Sequence, residues 1–342
     1  MMVIRPVAQQ DLPGLMALAK NAGIGLTSLP VDEENLARRI RRSELSMAGE
    51  LERADQGYVF VLEDTACGVV AGICAIEAAV GLKAPWYNYR VGTIVHASQE
   101  LGVYSRHDTL FLSNDHTGCS ALCTLFLRPD YRIQRNGSLL SKSRFLFMAQ
   151  FPQLFGKQVM AELRGVSDDA GRSPFWEALG RHFFSIDFTQ ADYLTGVGQK
   201  SFVAELMPKH PVYIDFLPPA AQAVIGKSHE NTQPAEALLV SEGFRYEGYV
   251  DIFDAGPTLQ SYLTEIRAVR QSQLGSVKLA EPPANEEGQT YLISNTSRSG
   301  FRAILAELAL PQESLQLTSA QAEALQIQAG DSVRFVSVSA QS

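Results

Sequence analysis

A chain of 342 residues is longer than one average domain and fits two or three. Its 46% apolar and 19% charged residues suffice for a sizeable core, while a net charge of −8 excludes a general nucleic-acid binder, which needs a basic face for phosphates. No charged-then-apolar leader is read at Met1 and no apolar run approaches the ~18 residues of a membrane helix, so a cytoplasmic protein with no membrane partner is expected.

Val3-Ile4-Arg5-Pro6 reads as a short strand. A helix follows, with Asp11 as N-cap, Pro13 in the first turn, Leu12, Leu15, Met16 and Ala19 at helical spacing, and Gly23 as its stop. Residues 32–51 form a second, charged amphipathic helix. Residues 58–62 and 69–76 are apolar on both faces, which marks central strands covered on each side. Further strands are expected at 89–95, 109–113 and 122–127, and a long helix over 137–154 leads to a strand at 158–163. Ser173 and Pro174 open a short helix that ends near Gly180 and gives way to a strand at 183–188. A second unit is expected from strands at 202–206 and 212–216, helices at 218–225 and 234–242, and a strand at 244–253. Its helix–glycine–aromatic order at 239–244 echoes 177–184, a weak internal repetition. Residues 274–289 shift to Glu, Pro, Ala, Asn and Gly and read as a linker, with a small strand-rich appendage beyond it. Hairpins precede the one clear strand–helix–strand crossover, so the fold class is a mixed α/β sheet and not a doubly wound one.

Cys67, Cys74, Cys119 and Cys123 contain no CxxC pair, and no His/Cys cluster has zinc spacing. Buried or idle thiols in a reducing compartment, and no metal, are the expectation.

The chemistry centres on residues 122–151. The buried-strand pattern Leu122-Cys123-Thr124-Leu125-Phe126-Leu127 runs into Arg128-Pro129-Asp130-Tyr131-Arg132-Ile133-Gln134-Arg135-Asn136-Gly137-Ser138 and then a helix. Asn136 and Gly137 fall where a helix's first turn leaves N–H groups unpaired, a place suited to a pyrophosphate. Arg132 and Arg135 add charge and bidentate hydrogen bonds. Taken on spacing alone, the same residues also fit a plain strand-to-helix turn, and no GxxxxGK[ST] or GxGxxG motif is present.

The turn Gln134-Arg135-Asn136-Gly137-Ser138 resembles the [Gln/Arg]-Gly-x-Gly-[Gly/Ala] acetyl-CoA signature of the GNAT N-acyltransferases, with Arg135 in place of the first glycine and Ser138 in place of the last small residue. At family level, the stretches Gly57-Tyr58-Val59-Phe60-Val61-Leu62-Glu63-Asp64, Pro85-Trp86-Tyr87-Asn88-Tyr89-Arg90-Val91-Gly92, Leu112-Ser113-Asn114-Asp115-His116-Thr117-Gly118 and Glu205-Leu206-Met207-Pro208-Lys209-His210-Pro211 are similar to the arginine N-succinyltransferases. That resemblance is dense over residues 1–270 and looser beyond.

It implies tandem GNAT-like units over 1–195 and 196–273, a linker over 274–289 and a small strand-rich unit over 290–342. It also implies succinyl-CoA as co-substrate, L-arginine as acceptor and N2-succinyl-L-arginine and CoA as products, the entry step of arginine catabolism. An assembly of like subunits is implied as well. The acyl-CoA contacts fall on Leu125, Leu127, Arg132, Gln134, Arg135, Asn136, Gly137 and Ser138, and the proton-transferring residue on His229. Asp115, His116, Arg90 and Arg164 are the candidates for binding substrate; Glu162 and Asp168 are further carboxylates suited to a guanidinium. Ornithine or another amine as acceptor, and a non-catalytic CoA-binding subunit, are the alternatives.

Overall fold

The computed structural model describes residues 1–22, 26, 28–168, 170–196, 205–280, 288–308 and 314–339. Strands β1 (Met2–Pro6), β2 (Gly57–Asp64) and β3 (Val69–Glu77) pair antiparallel in succession. β2 and β3 are almost wholly buried because both faces of their apolar runs find cover. On one face, helices Leu12–Ala22 and Glu33–Ala48 bury Leu15, Leu18, Leu36 and Ile40 against Val59, Val61, Ile73 and Ala75. Asp32 caps the second helix by accepting from the Asn35 N–H at 2.9 Å, and Gly49 ends it at φ 81°, a conformation that only glycine adopts without strain. On the other face lies helix Asn136–Gln150, whose Phe147 ring stands 5.1 Å from those of both Tyr58 and Phe60.

β4 (Asn88–Ser98) and β5 (Val103–Ser113) form a long hairpin, and β6 (Ser120–Leu127), β7 (Gln158–Glu162), β8 (Val212–Tyr213), β9 (Arg245–Val250) and β10 (Pro257–Tyr262) follow. The C-terminal region supplies β11 (Gln273–Leu279), β12 (Gln289–Asn295), β13 (Ala303–Leu308), β14 (Ser314–Leu317) and β15 (Ser332–Ser337), with helix Ser319–Leu325. The described strands join one mixed sheet in the order β14-β11-β15-β12-β13-β1-β2-β3-β6-β7-β10-β9-β4-β5-β8. The mixed α/β class and the strand-rich C-terminal region are thus as expected. The sheet runs on across residue 196, since β10 pairs with β7 and β9 with β4.

A buried charge cluster locks the C-terminal region to the rest. The Glu242 carboxylate is fully buried and takes Arg267 at 2.7 Å, Lys142 at 2.9 Å and the Ala268 N–H at 2.8 Å. Lys142 and Arg267 donate onward to the carbonyls of Val338 and Ser337, at 2.7 and 2.9 Å. Each buried ion therefore has both a counter-charge and hydrogen bonds, the condition under which such a cluster is tolerated.

Several local expectations change. Residues 183–188 are not a strand: a π turn, Trp176–Gly180, runs into helix Arg181–Phe184, and another helix spans Phe188–Gly196. Gly180 sits under the Trp176 ring, where any Cβ would overlap it, so this glycine serves packing and does not stop a helix. The echo of 239–244 therefore fails. The composition that read as a linker from 274 begins inside β11, paired to β14 and β15. Asp11 does not cap the first helix; its carboxylate binds the Ala8 N–H at 2.8 Å and Arg5 at 2.7 and 2.8 Å. Gly23 and residues 202–204 lie outside the described residues.

Candidate active site

β6 is held on one side by β3 along its length, but pairs with parallel β7 only at Ser120↔Val159 and Ala121↔Met160. On its opposite edge β7 stays paired with β10 from Gln158 to Glu162, so beyond Met160 only the edge facing β6 is open. The two parallel strands part, and residues 122–127 face a cleft of about 890 Å³ with Met160, Ala161, Glu162, Leu163 and Arg164 on the opposite wall. A backbone edge without a partner strand offers N–H and C=O groups to an extended ligand.

A bulge marks the parting. The β3–β6 register shifts between Ile73 and Ala75, and Thr124, buried and β-branched, sits at φ 55°. Such a residue in the left-handed region is a genuine outlier and needs outside support. Arg39 gives that support: its guanidinium donates to the Thr124 hydroxyl and to the Ser28 carbonyl. Arg38, Arg39 and Arg42 of helix Glu33–Ala48 line this side of the cleft, with Arg42 paired to Glu77.

At the far end of β6, Arg132 donates to the Leu127 carbonyl at 3.1 Å. Gln134 and Arg135 follow at φ 49° and 61°, two consecutive left-handed residues that reverse the chain into helix Asn136–Gln150. The buried Asn136 side chain fixes this turn by donating to the Tyr131 carbonyl at 3.1 Å. Gly137 faces open space, with nothing within 4 Å of where a Cβ would lie. The Asn136 N–H is taken by the Ile133 carbonyl at 3.0 Å, and the next turn of the helix, from Gly137, brings its positive dipole end to the half-exposed surface, a phosphate-compatible geometry.

His229 lies beside the cleft, on a loop from the chain's later half. Its N–H donates to the Arg164 carbonyl at 2.8 Å, and Gly165 bridges to Ser228, so this loop is tied to the end of β7. The imidazole Nδ1 accepts from the Asn231 N–H at 3.1 Å, which puts the proton of the neutral ring on Nε2. Its neighbours Asn231 and Thr232 line the cleft. Arg164 also lines it and donates to the Ser167 hydroxyl at 2.7 Å.

Arg90, Asp115 and His116 come together in a second layer. Tyr249 donates to Asp115 at 2.7 Å, Arg90 stands 3.7 Å from the same carboxylate, and the Tyr249 ring lies edge-on to His116. The hydrogen bond from Tyr249, aided by Ser113 and Arg90, holds Asp115 below the usual carboxylate range, while burial and Asp115 push the Tyr249 phenol up to about 12. His116 is buried between the side-chain oxygens of Asn88 at 2.7 Å and Gln260 at 2.9 Å. Asn88 in turn donates to Glu162 at 2.7 Å, which links this cluster to the cleft wall. Asp168 is drawn away into a surface turn with Arg172 and is not part of the cleft. Burial pushes the Cys74 thiol up to about 12 and raises Cys119 and Cys123, so these groups stay protonated.

Of the expected contacts, Leu125, Leu127, Arg132 and Arg164 line the cleft, and Gln134, Arg135, Asn136, Gly137 and Ser138 form the turn at its end. Sequence reading missed Arg39, Arg42, Glu77 and Arg144, all of which line it. The spacing of Arg38, Arg39 and Arg42 on one helical face was a usable signal for the first two.

The family model of the arginine N-succinyltransferase beta subunit matches residues 2–268, and that of the beta subunit's C-terminal domain matches residues 273–337. An arginine N-succinyltransferase of Enterobacter sp. (strain 638) is 58% identical over 336 residues, covering 98% of this chain and 97% of the relative. One from Escherichia coli O139:H28 is 57% identical over 342 residues, 100% and 99% of the two chains. The solved arginine/ornithine succinyltransferase subunit AI of Pseudomonas aeruginosa superposes with a TM-score of 0.92 at 38% identity, over 99% of each chain.

Proposed function

The chain belongs to the arginine N-succinyltransferase family, and on that premise we propose that it transfers the succinyl group of succinyl-CoA to the α-amino group of L-arginine, releasing N2-succinyl-L-arginine and CoA. The observation that carries this reading is the parting of β6 from β7, which leaves an extended backbone edge running from a bulge to a phosphate-compatible helix start.

In this reading the phosphates of succinyl-CoA lie at Arg132 and the turn of Gln134, Arg135, Asn136, Gly137 and Ser138, and the thiol-bearing arm pairs with β6 at Leu125 and Leu127. A backbone N–H near Leu125 receives the negative charge that develops on the thioester oxygen. The acceptor's α-amino group has an ordinary pKa of about 7.7–8.0, so it arrives largely protonated and must lose a proton before attack. His229, held at the cleft rim through Arg164, takes that proton or returns one to the departing thiolate. Arg164 on the wall, and Arg90, Asp115 and His116 behind Glu162, are the residues assigned to substrate recognition.

The test is release of CoA thiol by the purified chain. Thiol is expected only when succinyl-CoA and arginine are both present; release without an amine, or none with any amine, ends the reading. The solved Pseudomonas aeruginosa protein is named for arginine and ornithine together, so ornithine enters the same panel as a second acceptor. The division into units at 195 and 273, an assembly of like subunits and a cytoplasmic setting complete the proposal. The exposed Leu101, Tyr104 and Phe216 near the β8 edge of the sheet support an assembly, and the free cysteines suit a reducing compartment.

A further inference from the structure

Arg144 is the anomaly of the cleft. Its side chain is 2% exposed on helix Asn136–Gln150, yet it lines the cleft where β6 and β7 part. Among the described residues no carboxylate lies within ion-pair distance of it; Lys142, two residues away on the same helix, by contrast shares the Glu242 carboxylate with Arg267. The guanidinium donates to the Ser141 carbonyl at 3.0 Å, the Ser141 hydroxyl at 3.1 Å and, at a long 3.5 Å, the Ala75 carbonyl. All three acceptors are neutral. A buried cation without a counter-ion is costly, and a matching anion brought by a ligand would be worth far more there than in water.

Position selects the anion. Ala75 pairs with Cys123, just past the last β6–β7 pair, whereas the phosphate-compatible turn lies beyond Leu127. Four residues of strand, about 13 Å, run from Cys123 to Leu127, and the turn lies further on. A donor laid along β6 with its phosphates at the turn therefore presents its acyl end at Arg144. The Arg164 guanidinium engages Ser167, Arg90 lies behind the wall with Asp115, and Arg39, which also reaches the bulge, is held by the Thr124 hydroxyl and the Ser28 carbonyl.

We propose that the Arg144 guanidinium receives the free carboxylate of the donor's succinyl group and so selects a dicarboxylic acyl-CoA over a neutral one. The inference rests on the reading of this cleft as the succinyl-CoA site. Bidentate pairing of a carboxylate with a buried guanidinium places the thioester as well as holding it.

The experiment compares succinyl-CoA with butyryl-CoA, equal in chain length but uncharged at the end, in thiol-release assays with arginine. The full-length chain, Arg144→Gln and Arg144→Lys are assayed, each first shown by circular dichroism to be folded. Arg144→Gln is expected to lower the succinyl-over-butyryl preference in kcat/KM by about ten- to hundredfold. Arg144→Lys keeps more of that preference, and the affinity for CoA itself changes little in either. Equal loss with both esters, or an unchanged preference, would make Arg144 a structural plug of the bulge and overturn the inference.

Should neither variant fold, the unmodified chain carries the test: succinyl-CoA must raise its thermal midpoint more than butyryl-CoA does, and equal shifts overturn the inference. If the unmodified chain releases thiol from neither ester, it is the succinyl-transfer reading that has failed, and with it the basis of this one.

Discussion

His116 shows how one buried group carries a pH signature. Asn88 donates its amide protons to Glu162 and Thr258, and Gln260 donates to Glu247, so both amides turn their oxygens toward the imidazole. Burial nonetheless dominates and lowers the pKa of His116 below its ordinary 6.5, against the pull of Gln260 and Asp115. A histidine depressed in the folded state is less readily protonated there than in the unfolded chain. Its contribution to stability is complete above 6.5 and is lost as pH falls from 6.5 through the depressed folded value. Acidification through this window should lower the urea midpoint of the native chain more than that of His116→Gln; equal slopes would show that His116 does not titrate in the fold. At His229 the expectation concerns chemistry: His229→Ala should reduce kcat by about 10²–10⁴ while KM for succinyl-CoA moves only a few-fold. Unchanged turnover in the thiol-release assay removes this residue from the mechanism.

Among the elements, the turn before helix Asn136–Gln150 is where the proposed binding role of Arg135 and local stability oppose each other. Arg135 occupies φ 61°, where a side chain is strained by about 1–2 kcal/mol and glycine is not. Arg135→Gly should therefore raise the melting temperature slightly while weakening succinyl-CoA binding through the lost charge. A melt and a KM measured on one preparation check both directions. The opposite wall is built by close backbone approach. A Cβ on Gly256 would overlap the Leu163 carbonyl, and one on Gly165 would come within 2.5 Å of the Asp254 carbonyl. Asp254 also accepts from the N–H of Gly165 at 2.7 Å and of Gly256 at 2.8 Å, pinning the loop to the end of β7. Gly256→Ala should cost about 1–3 kcal/mol in urea denaturation and loosen the cleft wall.

Across the whole molecule, Glu242 joins four segments far apart in sequence: helix Asn136–Gln150, the turn before β9, helix Arg267–Gln271 and the chain after β15. Glu242→Ala leaves Lys142 and Arg267 buried beside each other and should cost about 3–5 kcal/mol. Replacing the trio together by Glu242→Leu, Lys142→Met and Arg267→Leu should recover much of that loss, since removing a complete buried set is nearly neutral. Chemical denaturation of the single and triple variants decides it. A single variant at native stability would show that water already reaches the cluster.

Local sequence signals are enough for the central strands, their two covering layers and the strand-turn-helix order at 122–150. Continuous apolar runs at 58–62 and 69–76, helical spacing in the first helices, and the strand-turn-helix order around Gly137 are local signals that burial rewards directly. Helix at 181–184 in place of strand was decided by packing, because the Trp176 ring over Gly180 goes with a wide π turn that propensity does not register. The cleft itself also belongs to the tertiary structure. It lies between β6 and β7, which pair only at Ser120 and Ala121, while β7 is held on its opposite edge by β10, about a hundred residues further along the chain. Nor does periodicity show that Arg144 is a buried cation at the parting of two strands. Which neighbours a side chain meets depends on pairings between distant segments, and those are fixed only when the whole sheet assembles.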